Sequence, residues 1–228
     1  MKKLLCPSMM CADYGHLAEE VRALDKAGAD IFHCDIMDGT FVPNFTMGVN
    51  DVRTIRKFTA KPVDVHLMIE NPGSKVDWFI DAGANIVYIH PESERYVVKT
   101  LSHIKEKGAA PGIAVNPDTS VASISEILNL CEYVMVMTVN PGFAGQNFID
   151  FTRKKVIQLA QLKDTYGYKL LIDGHCTPDV IADLSGVGAD GFVLGTSALF
   201  KEGHTYEEMI YNLRERETAE REEVKYAG

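Results

Sequence analysis

The sequence predicts a (β/α)8 barrel, and three observations predict it. Apolar stretches of strand length alternate with amphipathic stretches of helix length eight times along the chain. A short echo recurs as Ala27-Gly28-Ala29-Asp30, Ala82-Gly83-Ala84-Asn85 and Val187-Gly188-Ala189-Asp190. Each copy follows an amphipathic stretch and precedes an apolar one, and its glycine can supply the left-handed residue that ends a helix. Finally, two strands carry ionisable residues on one face and apolar residues on the other, which suits a barrel wall coated outside by helices. Eight even units favour closure through right-handed parallel crossovers. An open doubly wound sheet is the alternative. No Ser- or Pro-rich linker interrupts the alternation, so residues 1–228 read as one domain.

Taken in order, the first strand is expected at 4–7, ending at Ser8, and the first helix at 15–27. In the second strand, 31–36, His33, Asp35 and then Met37 point one way, and Phe32, Cys34 and Ile36 the other. After a helix at 48–58 the third strand, 63–68, repeats the pattern, with Asp64, His66 and Met68 opposed to Val63, Val65 and Leu67. A helix at 73–82 leads to strand 86–90, which ends on His90, and a helix at 94–107 to strand 111–115, followed by Asn116. A helix at 120–130 precedes strand 133–138 with Met137 near its end, and a helix at 151–165 precedes strand 169–173, which ends on Asp173. The last unit places a helix at 177–186, a strand at 191–195 leading into Gly195-Thr196-Ser197, and a closing helix at 205–224. That helix is mostly charged through Arg214-Glu215-Arg216-Glu217 and Glu220-Arg221-Glu222-Glu223, a solvated face laced with ion pairs whose end is expected to fray.

Composition narrows the function. A net charge of −9 argues against nucleic acid as a partner, and an anionic substrate then needs a local cradle. No apolar run approaches the roughly 20 residues that span a bilayer, and the first few residues are too short in apolar character for a signal peptide. Cys6, Cys11, Cys34, Cys131 and Cys176 are odd in number and lack paired metal spacing, which points to reduced thiols in a cytoplasmic protein.

In a barrel of this kind functional groups gather at the C-terminal ends of the strands. His33, Asp35, His66 and Asp173 sit at positions that could converge there, and two imidazoles with two carboxylates suit Zn²⁺, Mn²⁺, Co²⁺ or Fe²⁺. A single strand histidine is more often a hydrogen-bonded core residue, so the joint pattern carries the weight. Met37, Met68 and Met137 read either as pocket lining or as core filling. Three small-residue loops follow the last strands: Asn140-Pro141-Gly142-Phe143-Ala144-Gly145-Gln146, Asp173-Gly174-His175 and Gly195-Thr196-Ser197. Each alone reads as glycine punctuation, but together they occupy the places where such barrels hold phosphate.

Pro7-Ser8, the run His33-Cys34-Asp35-Ile36-Met37-Asp38-Gly39-Thr40-Phe41-Val42-Pro43-Asn44, Asp64-Val65-His66-Leu67-Met68, Val139-Asn140-Pro141-Gly142-Phe143-Ala144-Gly145-Gln146 and Asp173-Gly174 resemble the ribulose-phosphate 3-epimerase family across nearly the whole chain. The resemblance implies a ribulose-phosphate-binding type of (β/α)8 barrel. It implies one divalent metal ion per subunit, Zn, Mn, Co, Fe or Mg, held by His33, Asp35, His66 and Asp173. It implies Asp35 and Asp173 as the acid/base pair, and a substrate and phosphate set of Ser8, His66, Gly142, Phe143, Ala144, Gly145, Gly174, His175, Gly195, Thr196 and Ser197. A homo-oligomer is expected on the same ground. Met10-Cys11, His90-Pro91-Glu92, Met137-Thr138-Val139, Ala144 and Gly195-Thr196-Ser197-Ala198-Leu199-Phe200 resemble the D-allulose-6-phosphate branch more than the D-ribulose-5-phosphate branch, which is the alternative. One position departs from both: His175 stands where the first branch usually has Ser and the second Gly.

The chemistry agrees. Epimerisation beside a ketone requires removing a weakly acidic C–H proton, and inversion returns a proton to the opposite face, which two carboxylates can do and one cannot easily do. A lyase or decarboxylase on a phosphate-binding barrel would commonly need a lysine at a strand end. None of the eight expected strand ends offers one. A silent sugar-phosphate binder would gain nothing from two acids beside an anion.

Overall fold

The computed structural model describes residues 2–226, with side chains described through Arg216. Eight units follow one another: β1 (Leu4–Pro7) and α1 (Leu17–Ala27), β2 (Phe32–Met37) and α2 (Val49–Phe58), β3 (Val63–Met68) and α3 (Val76–Ile80), β4 (Ile86–Ile89) and α4 (Val97–Glu106). Then come β5 (Ala110–Val115) and α5 (Val121–Ile124), β6 (Tyr133–Met137) and α6 (Thr152–Tyr166), β7 (Lys169–Asp173) and α7 (Pro178–Gly186), β8 (Gly191–Leu194) and α8 (Tyr206–Tyr226).

The strands pair in parallel in the order β1-β8-β7-β6-β5-β4-β3-β2. The remaining seam, between β1 and β2, is joined by a parallel bridge from Ser8 to His33 and by the Asp30 N–H donating to Leu5 O at 2.9 Å. The sheet is therefore a barrel, and the doubly wound alternative is excluded.

The echo explains how the bottom of this barrel is stitched. Gly28, Gly83 and Gly188 take φ values of 99, 106 and 112°, the left-handed conformation expected of helix-ending glycines. The polar residue that closes each copy then accepts from a neighbouring strand: Asp30 from Leu5 N–H at 2.9 Å, Asn85 from Val63 N–H at 3.0 Å, Asp190 from Leu170 N–H at 2.9 Å. A helix stop and a strand-pairing clamp are thus encoded in four residues.

Outward strand residues such as Phe32, Cys34, Ile36, Val65 and Leu67 are buried under the helices. Inside, Cys6, Tyr88, Met135, Leu171 and Val193 fill the barrel. The inner faces of β2 and β3 at the same height are ionisable instead: His33, Asp35, Asp64 and His66 are all buried. Carrying charge in a core is costly, so these residues are held by something other than packing.

The helices depart from expectation where serine and glutamate compete with the backbone. The stretch 120–130 forms one α-turn and then a tighter 3₁₀ segment over Ser125–Leu130. The hydroxyls of Ser123 and Ser125 donate to the carbonyls three residues back, Ser120 O at 2.7 Å and Ala122 O at 3.0 Å, which favours the tighter turn. Residues 72–74 form a 3₁₀ turn separate from α3, and α4 starts at Val97 because the Glu94 carboxylate takes the N–H groups of Gly73 and Tyr96. In the last helix Arg216 pairs with Asp179 at 2.9 Å, and the rest of the charged run, 217–223, lies outside the described side chains. No helix among the described residues is long and apolar enough to cross a membrane.

Candidate active site

Parallel register aligns the site. His33 pairs with Asp64 and Asp35 with His66 on the adjacent strands β2 and β3, so four ionisable side chains face inward in two layers. Asp173 ends β7, three strands round the wall from β2. One donor atom each from His33, Asp35, His66 and Asp173 lie within 4.8 Å of one another. His33 Nε2 is 3.2 Å from Asp35 Oδ1, and His66 Nδ1 is 3.3 Å from the same oxygen and 3.5 Å from Asp173 Oδ2.

The far side of each imidazole is also engaged. His33 Nδ1 lies 2.6 Å from Asp64 Oδ1. His66 Nε2 lies 2.7 Å from His90 Nε2, and His90 Nδ1 lies 3.5 Å from Glu92 Oε2. Burial lowers His90 to about 4, so its ring is neutral at pH 7. Protons assigned to satisfy these contacts place one on His33 Nδ1, toward Asp64, and one on His66 Nε2, toward His90. The inner nitrogens, His33 Nε2 and His66 Nδ1, then offer lone pairs toward two carboxylates. Such a set of acceptors is repulsive on its own and suits a divalent cation bound by mixed N/O donors.

With no cation in place, the same carboxylates favour positive charge on the rings themselves, a proton standing where the ion would. Burial opposes charge on His33 and His66, yet Asp64 and Asp35 hold the first above its usual range, and Asp173 and Asp35 the second. Burial likewise pushes Asp35 upward, but His33 and His66 outweigh it and hold the carboxyl well below the usual carboxylate range. Ser8 Oγ donates to Asp35 Oδ2 at 2.7 Å, which fixes the carboxylate beside the cavity.

Above this cluster opens a cavity of about 600 Å³, counting its open mouth. Its wall includes Ser8, Asp35, Met37, Met68, Met137, Gly142, Phe143, Ala144, Gly145, Asp173, Gly174, His175, Gly195, Thr196 and Ser197. Met37, Met68 and Met137 are buried at its floor, where thioethers exclude water without titrating. His33 and His66 do not line it. His66, expected both as a metal ligand and as a substrate contact, has its ring nitrogens against Asp35, Asp173 and His90.

The loop 140–146 forms part of the cavity wall. Gly142 and Gly145 take φ values of 118 and 79°. Four of its carbonyls are occupied: Gln146 Nε2 donates to Asn140 O at 2.6 Å and Phe143 O at 2.9 Å, Asn44 Nδ2 to Gly142 O at 2.7 Å, and His175 Nδ1 to Gln146 O at 2.8 Å. Among the described residues nothing accepts from the N–H groups of Phe143, Ala144 and Gly145. N–H groups without a protein acceptor on a cavity wall are available to an anion.

Gly174, with φ 124°, has no room for a side chain: a Cβ there would lie 2.8 Å from the Val139 backbone nitrogen and 2.9 Å from Thr138 Oγ1. Gly174→Ala is expected to lower stability by about 2 kcal/mol or more. It is also expected to raise KM through displacement of the loop ends. Thermal melting and steady-state kinetics of the purified variant check both.

Four members of this site, Asp64, His90, Glu92 and Met10, stand outside the metal, acid/base and substrate set expected from the sequence. Asp64 shares a face with His66 and is visible only as part of that alternation. His90 and Glu92 have no periodic signal, because their proximity to His66 depends on the pairing of β3 with β4. Met10, which joins the cavity wall, lies in a 3₁₀ turn that no strand pattern predicts.

Known structures place the class first. The chain superposes on a 3-keto-L-gulonate-6-phosphate decarboxylase from Vibrio cholerae with a TM-score of 0.68, at 13% identity over 95% of this chain and 97% of that one. It superposes on a thiamine phosphate pyrophosphorylase from Pyrococcus furiosus with a TM-score of 0.66, at 15% identity over 96% of each. At that distance the likeness is one of fold, a (β/α)8 barrel. Sequence is more specific: the chain belongs to the ribulose-phosphate 3-epimerase family, whose model matches residues 4–200. It is 42% identical to a ribulose-phosphate 3-epimerase from Aquifex aeolicus over 85% of this chain and 88% of the relative. The corresponding figures are 39%, 92% and 93% for one from Synechocystis, and 38%, 85% and 90% for one from Bacillus subtilis. The protein is an isomerase, an epimerase acting on sugar phosphates.

Proposed function

We propose that the protein inverts C3 of a ketose phosphate, with D-ribulose 5-phosphate and D-xylulose 5-phosphate as its pair. The observation that carries the reaction is the convergence of Asp35 and Asp173 with two imidazoles beneath one cavity. The five-carbon pair is supported by relatives 38–42% identical that are named for ribulose phosphate. That support comes from identity over most of the chain, whereas the motifs that favour D-allulose 6-phosphate are a few short segments.

In this reading His33, Asp35, His66 and Asp173 hold one divalent ion, Asp64 orients His33, and His90 orients His66. When bound, the ion draws electron density from the ketone and makes the neighbouring C–H more acidic. One of Asp35 and Asp173 takes the C3 proton from its face, and the other returns a proton to the opposite face. Ser8 steadies Asp35 for this exchange, and the buried methionines keep water from reprotonating the planar intermediate at random. The N–H groups of the loop 140–146, with the backbone of Gly174, His175, Gly195, Thr196 and Ser197, receive the phosphate.

The test is an assay of both sugar-phosphate pairs after loading with Mn²⁺, Zn²⁺, Fe²⁺, Co²⁺ or Mg²⁺ in turn. A kcat/KM at least tenfold higher for the five-carbon pair is expected. A faster six-carbon pair would reverse the substrate assignment, and no epimerisation of either would overturn the reaction. Removal of divalent ions with a chelator is expected to abolish deuterium uptake at C3 from heavy water, and re-addition to restore it. Uptake undiminished in protein shown by elemental analysis to be metal-free would refute the metal's part.

A further inference from the structure

We propose that His175 is a positioning residue: its imidazole latches the anion-facing loop 141–146 to the β7 side of the barrel and so sets affinity for the phosphate end of the substrate. The inference rests on the phosphate role proposed above for that loop.

His175 Nδ1 donates to Gln146 O at 2.8 Å, across 29 residues of sequence. Gln146 is where the loop is braced, since its side chain reaches back to Asn140 O and Phe143 O. Holding the Gln146 backbone therefore holds the arch that presents the free N–H groups. The opposite side of the arch is held by Asn44 at Gly142 O. Among the described residues no other hydrogen bond ties 141–146 to the segment 174–177, so the latch has no substitute on that side.

The backbone shows that the position is under constraint. His175 takes φ 48°, a left-handed conformation that costs a side chain free energy and favours glycine or asparagine. It is held there by the Thr177 N–H donating to His175 O at 2.7 Å. A glycine or serine at this place would relieve or shorten the residue but could not span the gap to Gln146. The imidazole is half-buried at the cavity wall and its link to the rest of the site is through the loop, which places its effect on binding and not on proton transfer.

Three variants test this in the metal-loaded enzyme. His175→Phe keeps the ring volume and removes the donor. His175→Ser removes both. His175→Asn puts an N–H donor where Nδ1 stands and tolerates the left-handed backbone. The Phe and Ser variants are expected to raise KM, and the inhibition constant of inorganic phosphate, by about 3–10-fold. Their kcat should change by less than about twofold, and hydrogen exchange of the amides 141–146 should quicken. The Asn variant should restore all three readouts to near wild-type values. The proposal is overturned if Phe and Ser leave KM, phosphate inhibition and loop exchange unchanged, if kcat falls while KM does not, or if Asn fails as Phe does. Should the native protein epimerise neither sugar pair, the reaction assignment fails, while calorimetric binding of inorganic phosphate and exchange of the loop amides still decide the latch.

Discussion

Asp35→Asn and Asp173→Asn are each expected to lower epimerisation by about 10³-fold or more in both directions, because each direction needs one carboxylate to take the proton and the other to return it. The informative readout is the half-reaction. A variant that keeps the carboxylate facing a given epimer's C3 proton can still wash that proton into heavy water without completing inversion. The mirror variant should then exchange only the other epimer. Both residues belong to the cluster of donors within 4.8 Å, so retention of the divalent ion has to be shown for each variant by elemental analysis. With the ion retained, near-normal turnover in either variant would refute the two-carboxylate mechanism, and one-sided exchange in opposite senses would establish it.

Asp64→Ala and Asp64→Asn are expected to weaken binding of the divalent ion by about 10–100-fold, the usual scale for loss of a carboxylate behind a ligating imidazole. Asp64 is fully buried, its Oδ1 forms a close ion-pair contact with His33 Nδ1 at 2.6 Å, and among the described residues no other group partners either oxygen. Burial pushes this carboxyl upward against the pull of His33. Removing one partner of a buried charged pair costs stability in itself, so melting alone cannot tell the roles of Asp64 apart. Affinity for the ion separates them. If it serves the ion, Asp64→Asn binds the ion more weakly whatever its metal-free melting temperature, and saturating metal restores much of the turnover. If it serves only the fold, melting falls while affinity, titrated against a chelating dye, is unchanged.

Much of this was legible in the residues. The alternation within 31–37 and 63–68 placed His33, Asp35 and His66 on an inner face, because strand geometry has a period of two whatever surrounds it. Asp173 was legible as the end of an apolar run. The substrate reading was less secure: local loop motifs favoured six carbons, and the similarity of the whole chain supports five. Helix bounds were least legible at 120–130, where serine hydroxyls compete with helical carbonyls at a cost too small for the hydrophobic pattern to reveal.

By itself the sequence determined the strand and helix alternation, the left-handed glycines that end three helices, and which faces carry chemistry. These depend on local backbone geometry and on periodicity, which neighbours in the chain decide. Tertiary structure alone decided that Asp64 stands behind His33 and His90 behind His66, that Gln146 carries its loop, and that His175 reaches across to it. The two histidine pairs join strands whose register sets them, and an error of one residue there would turn them to the opposite face, while the loop contacts follow from where barrel closure brings the ends of β6 and β7.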